Sequence, residues 1–159
     1  MQKILVFSDS HGRTEYVMRM LDKETECQTV FFLGDGLNEV EKVRQLYPDK
    51  SFLAVKGNND FQFYAEQYAY KHIDGVTFMA CHGDMLSVRY TLRELFNKAH
   101  SVRANVALYG HTHISNAAFD SYSGVCAVNP GALCDGNYCI IEVNEGKYDI
   151  IRKQIGKKK

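Results

Sequence analysis

Lys3-Ile4-Leu5-Val6-Phe7-Ser8-Asp9-Ser10-His11-Gly12 changes character halfway along. Its first half is an unbroken apolar run, the pattern of a strand covered on both faces. Its second half is small and polar, and holds an aspartate and a histidine. Beyond it, Tyr16, Val17, Met20 and Leu21 recur at helical spacing, which predicts a helix from about Thr14 to Lys23. Strand, polar turn and helix make the opening of a βαβ unit. In open sheets, ligands collect at such strand ends.

The unit recurs in kind. Thr29-Val30-Phe31-Phe32-Leu33 is a second apolar run that breaks at Gly34-Asp35-Gly36. A helix is predicted after it from Leu37, Val40, Val43 or Arg44, and Tyr47, closed by Pro48. Ser51-Phe52-Leu53-Ala54-Val55 is a third strand, ending in Lys56-Gly57-Asn58-Asn59-Asp60. This βαβαβ order predicts a largely parallel sheet in the first half of the chain. Phe61 to Ala65 is aromatic and ambiguous.

Further on, Gln67 to Ile73 and Val76 to Cys81 read as two strands joined by the hairpin turn Asp74-Gly75, the second ending in His82-Gly83-Asp84. Val88, Leu92, Leu95, Phe96 and Ala99 predict an amphipathic helix with Arg89 and Arg93 on its wet face. Val106-Ala107-Leu108-Tyr109 is a buried strand, and Gly110-His111-Thr112-His113 leaves its end. Four more strands are expected at about Asn116–Tyr122, Val125–Val128, Tyr138–Val143 and Lys147–Gln154. Two facing sheets with helices outside fit this order. With no linker or repeat, one domain over residues 1–159 is expected.

Collected in order, the polar strand ends are Asp9, His11, Asp35, Asn58, His82, His111 and His113. Each follows an apolar strand and lies close to a glycine. Five such loops on one edge of a core are hard to explain as packing, because buried carboxylates and imidazoles are costly unless paired or metal-bound. The donors are carboxylate, amide and imidazole, with no thiolate. That set suits Mn, Fe, Zn or Ni, and is too rich in nitrogen for Ca or Mg alone. Seven ligands are too many for one such ion and enough for two that share a carboxylate. Cys81 precedes His82 on a strand, so it should face the other way and be buried. His72 and His100 read as surface residues.

Composition narrows the classes. Lys+Arg and Asp+Glu balance at 19 each, which argues against a protein that coats nucleic acid or anionic membrane. No apolar run approaches membrane-spanning length, and Met1-Gln2-Lys3 leads into a strand, not a signal peptide. The five cysteines are odd in number and hold no C-x-x-C, so reduced thiols and a cytoplasmic location are expected. Lys157-Lys158-Lys159 reads as a solvated end.

Asp9-Ser10-His11-Gly12, Gly34-Asp35, Gly57-Asn58-Asn59-Asp60, His82-Gly83, Gly110-His111-Thr112-His113 and Asn129-Pro130-Gly131 together resemble the motif series of calcineurin-like metallophosphoesterases. Chain length and the Gly-Asn-x-Asp form are most similar to the small YfcE-like phosphodiesterases. The resemblance implies an α/β protein with a four-layer αββα sandwich and a site for two divalent ions, Mn2+ first among them. By position, Asp9, His11, His113 and a shared Asp35 hold one ion. Asp35, Asn58, His82 and His111 hold the other. Asn129-Pro130-Gly131 falls on a loop that shapes the pocket. Such a pair of ions is expected to polarise a bridging water to hydroxide for in-line attack on phosphorus, with Asp35, Asn58 and His82 at the heart of catalysis.

Two positions depart from the pattern. Asn59 stands where many larger members of the superfamily carry a histidine that assists the leaving group. An amide is no general acid, and such a group is worth roughly 10²–10⁴-fold, so substrates with good leaving groups are expected. Asp84 stands where a second histidine is common. Asp84 and Asp60 are candidates to orient metal ligands, and Arg13 and Asn59 are candidates for substrate contact. Tyr64, Tyr68, Tyr70 and Tyr90 fit a core, a homo-oligomer contact or a stacking surface equally well. A small phosphoester is the expected substrate. A diesterase leads, a phosphomonoesterase on the same site is its rival, and a non-catalytic scaffold like the small retromer subunit is the third reading.

Overall fold

The alternation of apolar residues decides the layering. The computed structural model describes residues 1–61 and 64–156. Strands β1 (Gln2–Phe7), β2 (Thr29–Phe32) and β3 (Ser51–Ala54) alternate with helices α1 (Thr14–Lys23) and α2 (Leu37–Arg44). The hairpin β4 (Tyr68–Ile73) and β5 (Val76–Cys81) follows, then helix α3 (Arg93–Ser101). Strands β6 (Val106–Leu108), β7 (Asn116–Asp120), β8 (Val125–Asn129), β9 (Asn137–Asn144) and β10 (Lys147–Gln154) complete the described chain.

Two mixed five-stranded sheets result, ordered β10-β9-β1-β2-β3 and β4-β5-β6-β8-β7. In the first sheet, β1, β2 and β3 run parallel, and β9 joins β1 antiparallel. In the second, β5, β6 and β8 run parallel, with β4 and β7 antiparallel at the two edges. Ile4, Val6, Phe31 and Leu33 point at the other sheet and meet Phe78, Ala80, Val106 and Leu108 there. Their neighbours Leu5, Phe7, Val30 and Phe32 point the opposite way, onto α1 and α2 through Val17, Met20, Leu37 and Val40. Met79, Cys81, Ala107 and Tyr109 likewise pack beneath α3, on Leu95 and Ala99. Three apolar layers therefore separate four layers of structure, the αββα sandwich. The apolar runs are continuous because both faces of each central strand are covered.

Cys81 faces away from His82, and burial pushes its thiol up to about 12. All five cysteines are free. His72 and His100 are exposed. Among the described residues no helix is long and apolar enough to cross a membrane.

One helix start was misplaced. The expected helix from Val88 begins only at Arg93. A 3-10 turn occupies Asp84–Leu86, and Ser87 adopts a left-handed φ of 54°, which breaks helical continuation. Val88 and Leu92 still pack into the layer under α3, so their apolar spacing arose from burial without a shared helix. Tyr64, Tyr70 and Tyr90 are exposed, which excludes the core reading for them, whereas Tyr68 packs half-buried against the α3 layer. Part of the ambiguous aromatic stretch, residues 62 and 63, and the basic tail 157–159 lie outside the described residues.

Candidate metal centre

The parallel strands of both sheets end on the same side, and their C-terminal loops carry the polar residues. Asp9 and His11 follow β1, Asp35 follows β2, Asn58 follows β3, His82 follows β5, and His111 and His113 follow β6. The loops turn back abruptly. Among the described residues nine non-glycine positions have positive φ, and five of these are Asp9, His11, Asp35, His111 and His113. Left-handed backbone at non-glycine residues costs of order 1–3 kcal/mol each and gathers at functional sites.

All seven side chains come together in two groups. Asp9 Oδ1 lies 3.2 Å from His113 Nε2 and 3.4 Å from His11 Nε2, and the two imidazole nitrogens are 3.1 Å apart. In the second group, His111 Nδ1 lies 3.0 Å from Asn58 Oδ1 and 3.2 Å from His82 Nε2. Asp35 stands between them, with Oδ2 3.3 Å from His82 Nε2 and 3.9 Å from His11 Nε2. The two histidines of Gly110-His111-Thr112-His113 thus fall into different groups.

The donor set fits divalent cations. Asp9 is fully buried, and its Oδ1 has no hydrogen-bond donor. Ring nitrogens and carboxylate oxygens turn lone pairs on a common space, which is costly without positive charge between them. His82 Nδ1 lies 2.7 Å from the carbonyl oxygen of Leu33. A carbonyl only accepts, so Nδ1 carries a proton in either charge state; in the neutral ring Nε2 is the free lone pair on the Asp35 side, and in the charged ring it is the donor to Asp35.

Protonation follows from these contacts. Burial works to raise the Asp35 carboxyl, but the His82 contact and the Asn59 hydrogen bonds overcome it and hold it well below the ordinary value. Burial works to lower His82, and Asp35 and Asp9 reverse this, leaving it raised. His111 is lowered, by burial first and then by the charges of His82 and Arg89.

Supporting residues fix each loop. Asp60 accepts four backbone N–H bonds, from Gly57 and Asp35 at 2.8 Å, Gly36 at 3.0 Å and Leu37 at 3.1 Å. It therefore caps α2 from a different loop and holds Asp35 in place. Asn59 grips both Asp35 oxygens, through its backbone N–H at 2.8 Å and its side-chain amide at 2.9 Å. Asn129 donates to the Gly110 carbonyl and Thr112 Oγ1, pinning the His111–His113 loop. Gly110 is required by close approach, since a Cβ there would sit 2.1 Å from Ser8 Oγ and 2.8 Å from Asp9 Oδ2.

The other candidates lie at the margin of the site. Asp84 begins the 3-10 turn, while the His82 ring is held by Leu33. Arg13 is exposed before α1, 5.1 Å over the Tyr16 ring. Sequence reasoning missed Glu39. Its carboxylate is buried in the first turn of α2 and accepts from Ser10 Oγ at 2.8 Å and Gly12 N–H at 2.9 Å, bracing the loop that carries Asp9 and His11. Its signal was a charged residue among the buried positions Leu37, Val40 and Val43. It was also blind to Ser8, whose hydroxyl donates to Asp9 Oδ2, an atom that accepts the His111 backbone N–H as well. Beside the site opens a cleft of about 280 Å³, lined by residues that include His11, Asp35, Glu39, Asn59 and Phe61.

Residues 2–146 match the family model of the calcineurin-like phosphoesterase superfamily domain, and the chain belongs to that family of metal-dependent hydrolases. It is similar to a probable metallophosphoesterase, YsnB, of Bacillus subtilis, at 25% identity over 130 residues, 82% of this chain and 74% of that one. Among solved structures it is similar to a predicted phosphoesterase of Streptococcus pneumoniae, at TM-score 0.82 and 24% identity, covering 96% of this chain and 89% of the other. The zinc complex of Vps29 from Entamoeba histolytica shares the fold at TM-score 0.74 and 18% identity, covering 96% and 99%. So does an archaeal phosphodiesterase at TM-score 0.71 and 21% identity, covering 96% and 100%.

Proposed function

We propose that this chain is a phosphodiesterase that uses two divalent ions, Mn2+ foremost, to hydrolyse a small phosphoester in the cytoplasm. The observation that carries the reading is Asp35, buried between two donor groups, one of which contains the unpartnered Asp9 Oδ1. Asp9, His11, His113 and Asp35 are the residues to hold one ion, and Asp35, Asn58, His82 and His111 the other. When bound, such ions supply Lewis-acid activation of water and neutralise charge on the phosphoryl group.

The remaining work belongs to the chain. Asp35 is kept anionic by His82 and Asn59, and so is ready to bridge. Leu33 fixes the His82 tautomer, and Asp60 fixes the Asp35 backbone. Asn59 is committed to Asp35 and donates no proton, so substrates that leave without protonation are favoured. Arg13, exposed at the entry to α1, remains a candidate for phosphate contact.

Support for a diesterase over a monoesterase comes from the likeness to an archaeal phosphodiesterase, which by itself speaks to fold. The Vps29 likeness favours a scaffold as second reading, and the full complement of metal-capable donors weighs against it. Hydrolysis of bis-p-nitrophenyl phosphate and p-nitrophenyl phosphate, with and without Mn2+, separates the three. The diester should turn over in Mn2+, and Asp35→Ala should abolish turnover. Hydrolysis of the monoester alone supports the rival activity, and no metal-dependent turnover of either ester supports the scaffold.

A further inference from the structure

A second cluster of metal-capable side chains adjoins the first. His113, Cys134 and Asp135 each present a ligand atom within 4.8 Å of the others. His113 also belongs to the group with Asp9 and His11, so one imidazole is common to two donor sets. Cys134 and Asp135 lie on the 3-10 turn Leu133–Asp135 that follows β8. That turn is anchored to the strand end bearing Asp9, by Leu133 N–H to the Ser8 carbonyl at 2.8 Å and Cys134 N–H to the Asp9 carbonyl at 3.1 Å. The turn that carries Cys134 and Asp135 is therefore fixed to β1 through its backbone. Cys134 is half-buried, and the other four cysteines are buried.

The chemistry of the two sets differs. Asp9, His11, Asp35, Asn58, His82, His111 and His113 offer oxygen and nitrogen only. The second set offers a cysteine sulfur, an imidazole and a carboxylate, three ligands of the kind tetrahedral Zn2+ takes, with the thiol proton released when a metal binds. Thiolate selects soft and borderline ions, whereas Mn2+ and Mg2+ prefer oxygen. We propose that His113, Cys134 and Asp135 form an inhibitory site for thiophilic divalent ions such as Zn2+ and Cd2+, which act by drawing His113 away from Asp9 and His11. The metal site stands on the geometry alone; the inhibition rests on the phosphodiesterase reading.

The test uses the full-length chain loaded with Co2+, whose bond to thiolate gives a near-ultraviolet charge-transfer band. The wild type should show the band and Cys134→Ser should lose it. Because the other thiols are buried, the assignment is unambiguous. In parallel, Zn2+ is titrated into the Mn2+-loaded protein during diester hydrolysis. Cys134→Ser should keep its Mn2+-dependent rate. Its half-inhibiting Zn2+ concentration should rise at least about tenfold, the scale on which metal sites respond to loss of even a supporting group. Asp135→Asn should raise it in the same direction. No band in the wild type, or a band that survives Cys134→Ser, overturns the site. A lost band with unchanged Zn2+ inhibition overturns the withdrawal of His113. A band without hydrolysis under any metal refutes the phosphodiesterase reading and leaves the thiolate site standing.

Discussion

At the scale of single residues, the site is a set of donors whose protonation is fixed by neighbours. Asn59 is a clamp, since its side-chain amide and backbone N–H each hold one oxygen of Asp35. Asn59→Ala keeps the backbone bond and loses the other. We expect Mn2+ affinity, read by metal titration of activity, to fall about 10- to 100-fold, as when a group supporting a ligand is removed. His82 carries a pH signature. Its raised value means that, without metal, its pairing with Asp35 stabilises the fold fully below the unfolded histidine value of about 6.5, and that this stability is lost as pH rises through the raised folded value. Metal has the opposite dependence, because only the neutral imidazole binds it. The rise in melting temperature caused by Mn2+ should therefore grow with pH across neutrality. A pH-independent rise would refute His82 as a ligand.

At the scale of elements, loops are held by trans-acting caps. The N-terminus of α2 carries Gly36 at its cap position, and a glycine has no side chain to bond there. Asp60 does so from the loop after β3, and ties that loop to Asp35 by the same carboxylate. Asp60→Ala leaves four N–H groups without their acceptor. It should lower stability in urea unfolding by at least about 2 kcal/mol, the upper end for a helix cap, and weaken metal binding with it. Gly110→Ala tests loop contact of another kind. A methyl group meets Ser8 Oγ and Asp9 Oδ2, so β6 and β1 must separate where the two sheets bring their polar strand ends together. Loss of Mn2+-dependent activity with retained circular dichroism is the expected result.

At the scale of the whole molecule, the two sheets share one apolar layer, and the site exists only because that layer sets their spacing. Phe78 is fully buried there, 5.8 Å from the ring of Phe31. Phe78→Ala should cost about 3–5 kcal/mol in denaturant unfolding, with the folded fraction still binding metal.

The sequence by itself determined the layers and which polar residues stand at the strand ends. Unbroken apolar runs such as Ile4 to Phe7 require cover on both faces, and glycine-flanked polar residues at their ends have no apolar partner to seek. It also carried misleading signal: Val88 and Leu92 showed helical spacing for burial's sake, while Ser87 had already turned the chain. Tertiary structure alone decided the neighbours. The carbonyl of Leu33 beside His82, the amide of Asn59 on Asp35, and Glu39 beneath Ser10 join residues 24 to 49 positions apart. The same holds for Cys134, which the fold sets beside His113. Local pattern encodes which side chains avoid water. Which of them meet is set by the register and facing of two sheets, and that is a property of the folded chain.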